Sequence, residues 1–118
     1  MSNYTVDVYE KEDGSCPLEE FISGLDAKMQ GKILHSIEML KSFGPKLREP
    51  HSKNLQDGIF ELRTQSGSNI TRTLYFFCVG NKIILTNGFV KKQQKTPRRE
   101  IDLAKAYRQD YLNRNGGN

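Results

Sequence analysis

The sequence predicts an α+β fold whose elements follow the order strand, two helices, three strands and a final helix. Two kinds of apolar spacing support this prediction. In four short segments apolar and polar residues alternate, as in half-buried strands, and in three others apolar residues recur every three or four positions, as in amphipathic helices. Short turns separate the last three strands, so we expect them to form an antiparallel meander.

The first strand and both helices of the predicted hairpin lie in the N-terminal part of the chain. Residues 4–10 alternate and predict a strand that pairs at one edge of the sheet. Pro17 opens a short helix over residues 17–25, because proline is tolerated at the first helical position. Asp26 is the expected N-cap of a longer helix, which Gly44 and the following proline end. We expect the two helices to pack on one face of the sheet.

The meander and the last helix occupy the rest of the chain. Residues 46–58 are predicted to be a connecting loop without regular structure. Pro97 marks the first turn of the last helix, which runs to Leu112, and residues 113–118 are predicted to be a frayed tail. The strands of the meander are predicted over residues 59–65, 70–79 and 82–90.

Size and composition predict a single domain over residues 1–118 with no cofactor and no metal. The chain has 118 residues, of which 36% are hydrophobic, enough for one modest core. It has no apolar run long enough for a membrane span and no signal-peptide pattern at its start, so we expect a cytoplasmic protein without a membrane partner. Cys16 and Cys78 are far apart in sequence, and His35 and His51 stand alone, so no metal-ligand spacing is present.

Positive charge is concentrated near the C-terminus. The formal net charge is +4, yet residues 89–118 carry eight Lys or Arg against three Asp or Glu. The rest of the chain is therefore slightly acidic. A local basic region of this kind is typical of a surface that meets a polyanion, although a solvated helix face gives the same pattern.

Three neighbouring strands of the predicted meander each carry a cation. Arg63 lies on the first, Arg72 on the second, and Lys91 and Lys92 follow the third. Strands lie about 4.8 Å apart, so these side chains are able to converge on one anion. Like charges brought together are unfavourable without a counterion, so the pattern favours an anion site over surface pairing of Arg63 with a carboxylate such as Glu61.

Aromatic residues lie among these cations. Tyr75 and Phe89 are candidates for stacking on a nucleobase, whereas Phe76 and Phe77 are expected to fill the core. The chain has no nucleophile–base triad, paired carboxylates or phosphate-binding glycine loop. Cation-based cleavage of RNA fits these limits, because RNA supplies its own 2′-hydroxyl nucleophile and the protein needs only to orient it, move a proton and neutralise developing charge.

The second half of the chain resembles the RelE/HigB-type toxins, especially the phage-derived Gp49-like branch. The matching pieces are "LxxGIFELR", "RxLYF", "GFVKK" followed by "QKTP", then "EIDxA" and a final "DYL". They cover residues 53–112 in order and at tight spacing. The resemblance implies a RelE-like microbial ribonuclease fold with the element order β-α-α-β-β-β-α.

The resemblance also implies a function and partners. It implies the toxin of a type II toxin–antitoxin pair, a metal-independent endoribonuclease that cleaves mRNA on the ribosome and inhibits translation. A cognate antitoxin, of the helix-turn-helix HigA-like kind, would neutralise it, and the toxin would meet operator DNA only through that complex. Alternatives remain open: the related ParE branch keeps the fold but inhibits gyrase without catalysis, and a basic domain of this size is also able to serve as a nucleic-acid-binding module.

Site residues are implied position by position. Arg72 matches the arginine that stabilises the transition state, and Arg63 matches a phosphate-binding position. Lys92, with Lys91 as its competitor, falls where members place the proton-transfer group. Glu61 is an alternative general base, because the segment has neither the His nor the Tyr of other members. The predicted substrate-binding residues are Phe89, Tyr75, Lys95 and Arg99.

Overall fold

The computed structural model describes residues 4–115, which form a five-stranded sheet with helices on both faces. The α+β class is confirmed. In chain order the elements are β1 (Thr5–Val8), α1 (Pro17–Ser23), α2 (Ala27–Phe43), a short 3-10 helix (Gly44–Lys46), β2 (Ser52–Gln56), β3 (Ile59–Ser66), β4 (Asn69–Cys78), β5 (Lys82–Val90) and α3 (Arg98–Arg114).

The strand order across the sheet is β1-β5-β4-β3-β2. The antiparallel meander of β3, β4 and β5 is confirmed, as is the position of β1 at one edge, where it pairs in parallel with β5. β1 is shorter than the predicted strand over residues 4–10. The chain leaves the sheet after Val8, and Tyr9 turns its ring toward α3, where it stacks on Tyr107 with centroids 4.6 Å apart.

The prediction of an irregular loop over residues 46–58 is wrong, because β2 lies within it and forms the other edge of the sheet. Its sequence, SKNLQ, has one apolar residue and no alternating pattern, so it holds its place by backbone pairing with β3. The signal that was available is the pair Asp57-Gly58, a hairpin turn in which both residues have positive φ, 53° and 80°. The element order of the fold therefore contains one more strand than expected.

The helix hairpin lies on one face of the sheet, as predicted. Asp26 caps α2 by accepting a hydrogen bond from the Met29 backbone N–H at 2.8 Å. Leu34 is 60% exposed, so it lies outside the buried stripe of α2, unlike its sequence neighbour Ile33. The buried residues on this face, from both helices and the strands, are Cys16, Leu18, Leu40, Leu62, Tyr75, Ile83 and Leu85.

The other face of the sheet is covered by α3. The helix runs to Arg114, so it continues into the segment predicted as a frayed tail, whose last three residues lie outside the described part of the chain. No helix within residues 4–115 is long and apolar enough to cross a membrane. The buried residues on the α3 face are Tyr9, Ile59, Leu74, Phe76, Ile84 and Ala104.

Candidate active site

The candidate site forms where the meander extends beyond the apolar core of the α3 face. Arg63 of β3 lies directly opposite Arg72 of β4, and Arg72 lies opposite Phe89 of β5. Strand alternation predicts that Arg72 and Leu74 share one face of the sheet, and Leu74 lies in the core under α3. The two arginines and Phe89 therefore lie side by side on three neighbouring strands.

A single buried carboxylate holds the two arginines. Glu61 is 1% exposed and accepts a hydrogen bond from Arg63 Nε at 2.9 Å. Arg72 Nη1 lies 3.3 Å from the same carboxylate oxygen. Arg63 also approaches the exposed carboxylate of Glu49, at 4.0 Å. Buried charges require partners, and here one buried carboxylate serves two guanidinium groups. The buried part of the cluster therefore has excess positive charge, which, among the described residues, only the exposed Glu49 offsets, through solvent.

Thr96 closes the cluster from the side of the segment that joins β5 to α3, residues 91–97. Its hydroxyl donates to Glu61 Oε1 at 2.5 Å and accepts from Arg72 Nη1 at 3.1 Å. The backbone carbonyl of Gln94 accepts a further hydrogen bond from Arg72 Nη1, at 3.4 Å. Segment 91–97 is thus fastened to the two charged strands by its own side chain and backbone.

Arg72 is the most constrained member of this cluster. It is 4% exposed. Its Nε atom is buried and has no hydrogen-bond partner within residues 4–115. Buried N–H groups in folded proteins nearly always have a partner, so the Arg72 Nε is a donor that no described protein group satisfies.

A cleft of about 500 Å³, here called the arginine cleft, opens between α2 and this end of the sheet. Among the described residues that line it there are four cations and two histidines but no Asp or Glu. Such a cleft attracts anions and strengthens their binding. Its lining residues are Lys32, His35, Ser36, Met39, Pro50, His51, Arg63, Thr64, Gln65, Ile70, Arg72 and Lys91.

The two histidines are site residues that the sequence reading missed. His35 lies on the cleft side of α2, one turn after Lys32 and one turn before Met39, so helical spacing was an available signal. For His51 the sequence gave no such signal, because this residue precedes β2, the strand that was not predicted. Its backbone carbonyl accepts from the Arg63 N–H at 2.8 Å, which fixes it beside the arginines.

The structure separates the two candidate lysines. Lys91 lines the arginine cleft, and its Nζ donates to Gln94 Oε1 at 3.5 Å. Lys92 lines a different cleft, here called the Phe89 cleft, at the N-terminus of α3. Phe89 and Arg99, two of the predicted substrate-binding residues, line that second cleft with it. These predicted site residues thus lie in two separate openings, and Lys91 is the lysine that accompanies Arg63 and Arg72.

Lys95 lies in a third opening, between β2 and segment 91–97, here called the amide cleft. Arg72 forms part of its wall and of the wall of the arginine cleft, so the two openings adjoin. The lining residues of the amide cleft are Lys53, Asn54, Leu55, Gln56, Arg72, Gln93, Gln94, Lys95, Thr96, Pro97, Arg98 and Ile101.

Tyr75 does not belong to any of these openings. It is 1% exposed, packs in the core under the helix hairpin and shares a hydrogen bond with Ser52 Oγ. Burial raises the pKa of its phenol, and the Ser52 hydrogen bond opposes that shift. The prediction that Tyr75 binds substrate is therefore wrong, because the strand alternation turns its ring away from the arginines.

Glu61 does not have the access that a general base needs. Its carboxylate accepts hydrogen bonds from three side chains and is closed off from both adjoining clefts. A group that takes a proton from substrate must reach it directly or through one water. Glu61 instead orients the two arginines. Within residues 4–115, no cluster of three or more His, Cys, Asp or Glu is arranged to hold a metal ion.

Comparison with known proteins agrees with the fold. The fold is RelE-like: a chain in the crystal structure of the archaeal RelE-RelB complex from Pyrococcus horikoshii OT3 superposes with a TM-score of 0.53 at 14% identity, over 78% of this chain and 99% of that one. Residues 20–109 match the family described as "Phage derived protein Gp49-like (DUF891)", and the chain belongs to that family. No curated protein sequence matches it.

Proposed function

We propose that the protein is the toxin of a type II toxin–antitoxin pair and acts as a metal-independent endoribonuclease on mRNA at the ribosome. One observation carries the proposal. Arg63 and Arg72 lie opposite each other on adjacent strands, with Lys91 in the same cleft and a single buried carboxylate between the guanidinium groups. Excess positive charge held rigidly on strands suits a phosphate group whose negative charge increases during reaction.

The reaction requires little covalent chemistry from the protein. The 2′-oxygen of one nucleotide forms a bond to the adjacent phosphorus, and the bond from phosphorus to the 5′-oxygen of the next nucleotide breaks. A base accepts the proton of the 2′-hydroxyl, and an acid gives a proton to the departing 5′-oxygen. Arg72 and Arg63 stabilise the charged phosphorane between these steps, and Glu61 keeps both guanidinium groups in position.

Proton transfer falls to the titratable groups that line the same cleft. These are Lys91, His35 and His51. Histidine suits this task in general, because imidazole exchanges its proton near neutral pH. Replacing each of the three with Gln and measuring the pH dependence of RNA cleavage identifies the acting group, since its loss flattens one limb of the profile. Lys92, in the separate Phe89 cleft, serves as the matched control.

The proposed partners follow from the function and the fold. The similar archaeal chain belongs to a RelE-RelB complex. We expect this chain to be neutralised by a cognate antitoxin of the helix-turn-helix, HigA-like kind, to meet mRNA on the cytoplasmic ribosome, and to reach operator DNA only through the antitoxin complex. The exposed cations that follow β5 provide a surface for acidic residues of the antitoxin or for ribosomal RNA.

Mapping the 5′ ends of cellular mRNA after brief induction tests the proposal. The parent protein should produce new 5′ ends within coding sequences and arrest growth. Arg63→Ala should abolish both, because it removes one of the two guanidinium groups proposed to stabilise the phosphorane. The Arg63 side chain is partly exposed, so its removal leaves the apolar core closed. Arg48→Ala is the matched control, because Arg48 is exposed on the loop that precedes β2 and does not line the arginine cleft.

Two results would contradict the proposal that the protein is a ribonuclease. Growth arrest with intact mRNA and inhibited DNA supercoiling would indicate a ParE-like gyrase inhibitor. Steeply salt-dependent nucleic-acid binding with neither cleavage nor growth arrest would indicate a nucleic-acid-binding module.

Arg72→Ala should lose activity in the same way as Arg63→Ala. Circular dichroism of the Arg72→Ala variant shows whether the loss comes from the chemistry or from unfolding.

A further inference from the structure

Thr96 is a buried threonine in segment 91–97, with 7% of its surface exposed. Two features of the segment limit its backbone. The Lys91 N–H donates to the Ile70 carbonyl at 2.8 Å where the chain leaves the sheet, and Pro97 follows Thr96 directly and restricts it to extended conformations. Because its Cβ is branched, Thr96 also has few favoured side-chain rotamers. The chain itself therefore limits the direction of the Thr96 hydroxyl.

The hydroxyl of Thr96 makes two hydrogen bonds, and its single proton decides their direction. Glu61 Oε1 lies 2.5 Å away, and a carboxylate is able only to accept. Arg72 Nη1 lies 3.1 Å away, and a guanidinium group is able only to donate. The hydroxyl must therefore donate to the carboxylate and accept from the guanidinium group. Thr96 is thus a neutral bridge between two buried charges.

This bridge matters because the direct contact between the two charges is long. Arg72 Nη1 lies 3.3 and 3.4 Å from the two oxygens of Glu61, whereas charge-assisted N–H···O bonds are about 2.7–2.9 Å long. Glu61 Oε2 accepts from Arg63 Nε at 2.9 Å, so that oxygen is directed to Arg63. Among the described residues, Thr96 Oγ1 is the nearest acceptor to Arg72 Nη1, and it connects this guanidinium group to the other oxygen.

We propose that Thr96 is a positioning residue for RNA cleavage, whose hydroxyl fixes the guanidinium group of Arg72 at the wall of the arginine cleft. The inference rests on the proposed function, in which Arg72 stabilises the phosphorane. Thr96 does not itself line that cleft, so it acts through Arg72. A guanidinium group that is already oriented needs no reorganisation when charge develops on the phosphate. Loss of the hydroxyl therefore slows the chemical step more than it weakens binding of RNA.

Replacing the hydroxyl with a methyl group tests this role. Thr96→Val keeps the shape and the branched Cβ, whereas Thr96→Ser keeps the hydroxyl. Single-turnover cleavage of a 5′-labelled mRNA on purified ribosomes gives the maximal rate constant and the concentration at half-maximal rate. Thr96→Val should lower the rate constant by a factor on the order of ten to one hundred, with the half-maximal concentration within about twofold of the parent. Thr96→Ser should retain most of the parental rate constant.

Thr86→Val is the matched control. Thr86 is also a buried threonine, and its hydroxyl donates to the Leu74 carbonyl at 3.2 Å, but it lines none of the three clefts. Its removal costs a hydrogen bond without reaching Arg72, so the rate constant should stay at the parental value. If Thr96 were only structural, both valine variants would show a lower thermal midpoint and parental cleavage.

Nitrogen-15 NMR measures the state of Arg72 without RNA. Hydrogen bonding of Nη1 slows rotation of the guanidinium group, so Nη1 and Nη2 of Arg72 should give separate signals in the parent, and Thr96→Val should average them. Triple-resonance experiments assign the signals to Arg72. In the parent, the Thr96 hydroxyl proton should also exchange slowly enough with water to give its own signal. That measurement needs no variant, so it tests the bridge even if Thr96→Val does not fold.

The outcomes separate this inference from the proposed function. Averaged Arg72 signals in Thr96→Val, in a protein that does not cleave RNA, would support the hydrogen-bonded bridge and overturn the ribonuclease. Cleavage by the parent, together with a parental rate constant or separate Arg72 signals in Thr96→Val, would overturn the inference alone. Rapid exchange of the Thr96 hydroxyl proton in the parent would overturn it as well.

Discussion

Arg72 and Tyr75 lie on the same strand, β4, and both are almost completely buried, yet they face opposite sides of the sheet. Under the helix hairpin, the Tyr75 hydroxyl has one neutral partner, Ser52, and is surrounded by apolar side chains. Under segment 91–97, Arg72 shares one carboxylate with Arg63 and keeps an unpaired donor. Burial of a polar group is common to both faces, whereas two guanidinium groups that share one buried carboxylate distinguish the candidate site.

The largest expected effect comes from neutralising the carboxylate on the charged face. Glu61→Gln preserves shape but leaves Arg72 buried without a counterion, so the free energy of unfolding should fall by about 3–5 kcal/mol. Urea denaturation measures this free energy, and Glu38→Gln on the exposed side of α2 is the control. A loss below about 1 kcal/mol would mean that water or solvent ions already compensate Arg72.

A smaller loss of stability is expected from overpacking the face of the sheet that lies under the helix hairpin. A Cβ on Gly88 would lie 2.7 Å from Phe21 Cδ2 and 3.1 Å from Leu18 Cδ1, so Gly88→Ala should push α1 from β5 and cost about 2 kcal/mol. Gly31→Ala is the matched control, since a Cβ at Gly31 has no neighbour within 4 Å and should stabilise α2. Equal thermal midpoints for the two variants would contradict the close approach of α1.

Removing the Tyr75 hydroxyl should have a smaller effect still. Tyr75→Phe leaves Ser52 without its partner and should lower the free energy of unfolding by about 1 kcal/mol. RNA cleavage and growth arrest should be unchanged, because the ring lies on the hairpin face. A variant as stable as the parent but inactive would return Tyr75 to the site.

The last expected effect appears only at alkaline pH and concerns a third buried polar group, Tyr9, on the α3 face away from the clefts. Burial and its hydrogen bond to Asp110, 2.6 Å long, raise the pKa of Tyr9 to about 12. The folded state therefore retains this proton more tightly than the unfolded chain, whose tyrosine pKa is near 10. The protonated Tyr9 hydroxyl therefore contributes fully to the free energy of unfolding below pH 10, and this contribution is lost as the pH rises toward 12.

Asp110→Asn should lower the pKa of Tyr9 toward its ordinary value and narrow that pH window. Carbon-13 NMR titration of labelled tyrosine measures the pKa, and Tyr9→Phe assigns the signal. An unchanged titration in Asp110→Asn would show that burial alone, the larger cause, accounts for the shift.

Sequence patterns predicted the parts of the site that depend on one strand at a time. Alternation in β4 put Arg72 on the face of Leu74, and short turns made Arg63 and Arg72 neighbours in the sheet. The same patterns gave no information about β2, whose polar residues have no apolar alternation, and so His51, which precedes β2, was missed. Tyr75 lies three residues after Arg72 on β4, so strand alternation turns its ring to the opposite face of the sheet.

By itself, the sequence determined the α+β class, the meander, the helix hairpin and the convergence of cations on three strands, since these follow from local periodicity and turn chemistry. Only the tertiary structure decided that Lys91 and Lys92 enter different clefts and that Glu61 is enclosed by Arg63, Arg72 and Thr96. It also decided that His35 of α2 and His51, just before β2, line the same cleft as the arginines. Those features depend on contacts between segments that are distant in sequence. The burial and the charge balance of each side chain depend on all of these segments together, so the sequence of one segment does not predict them.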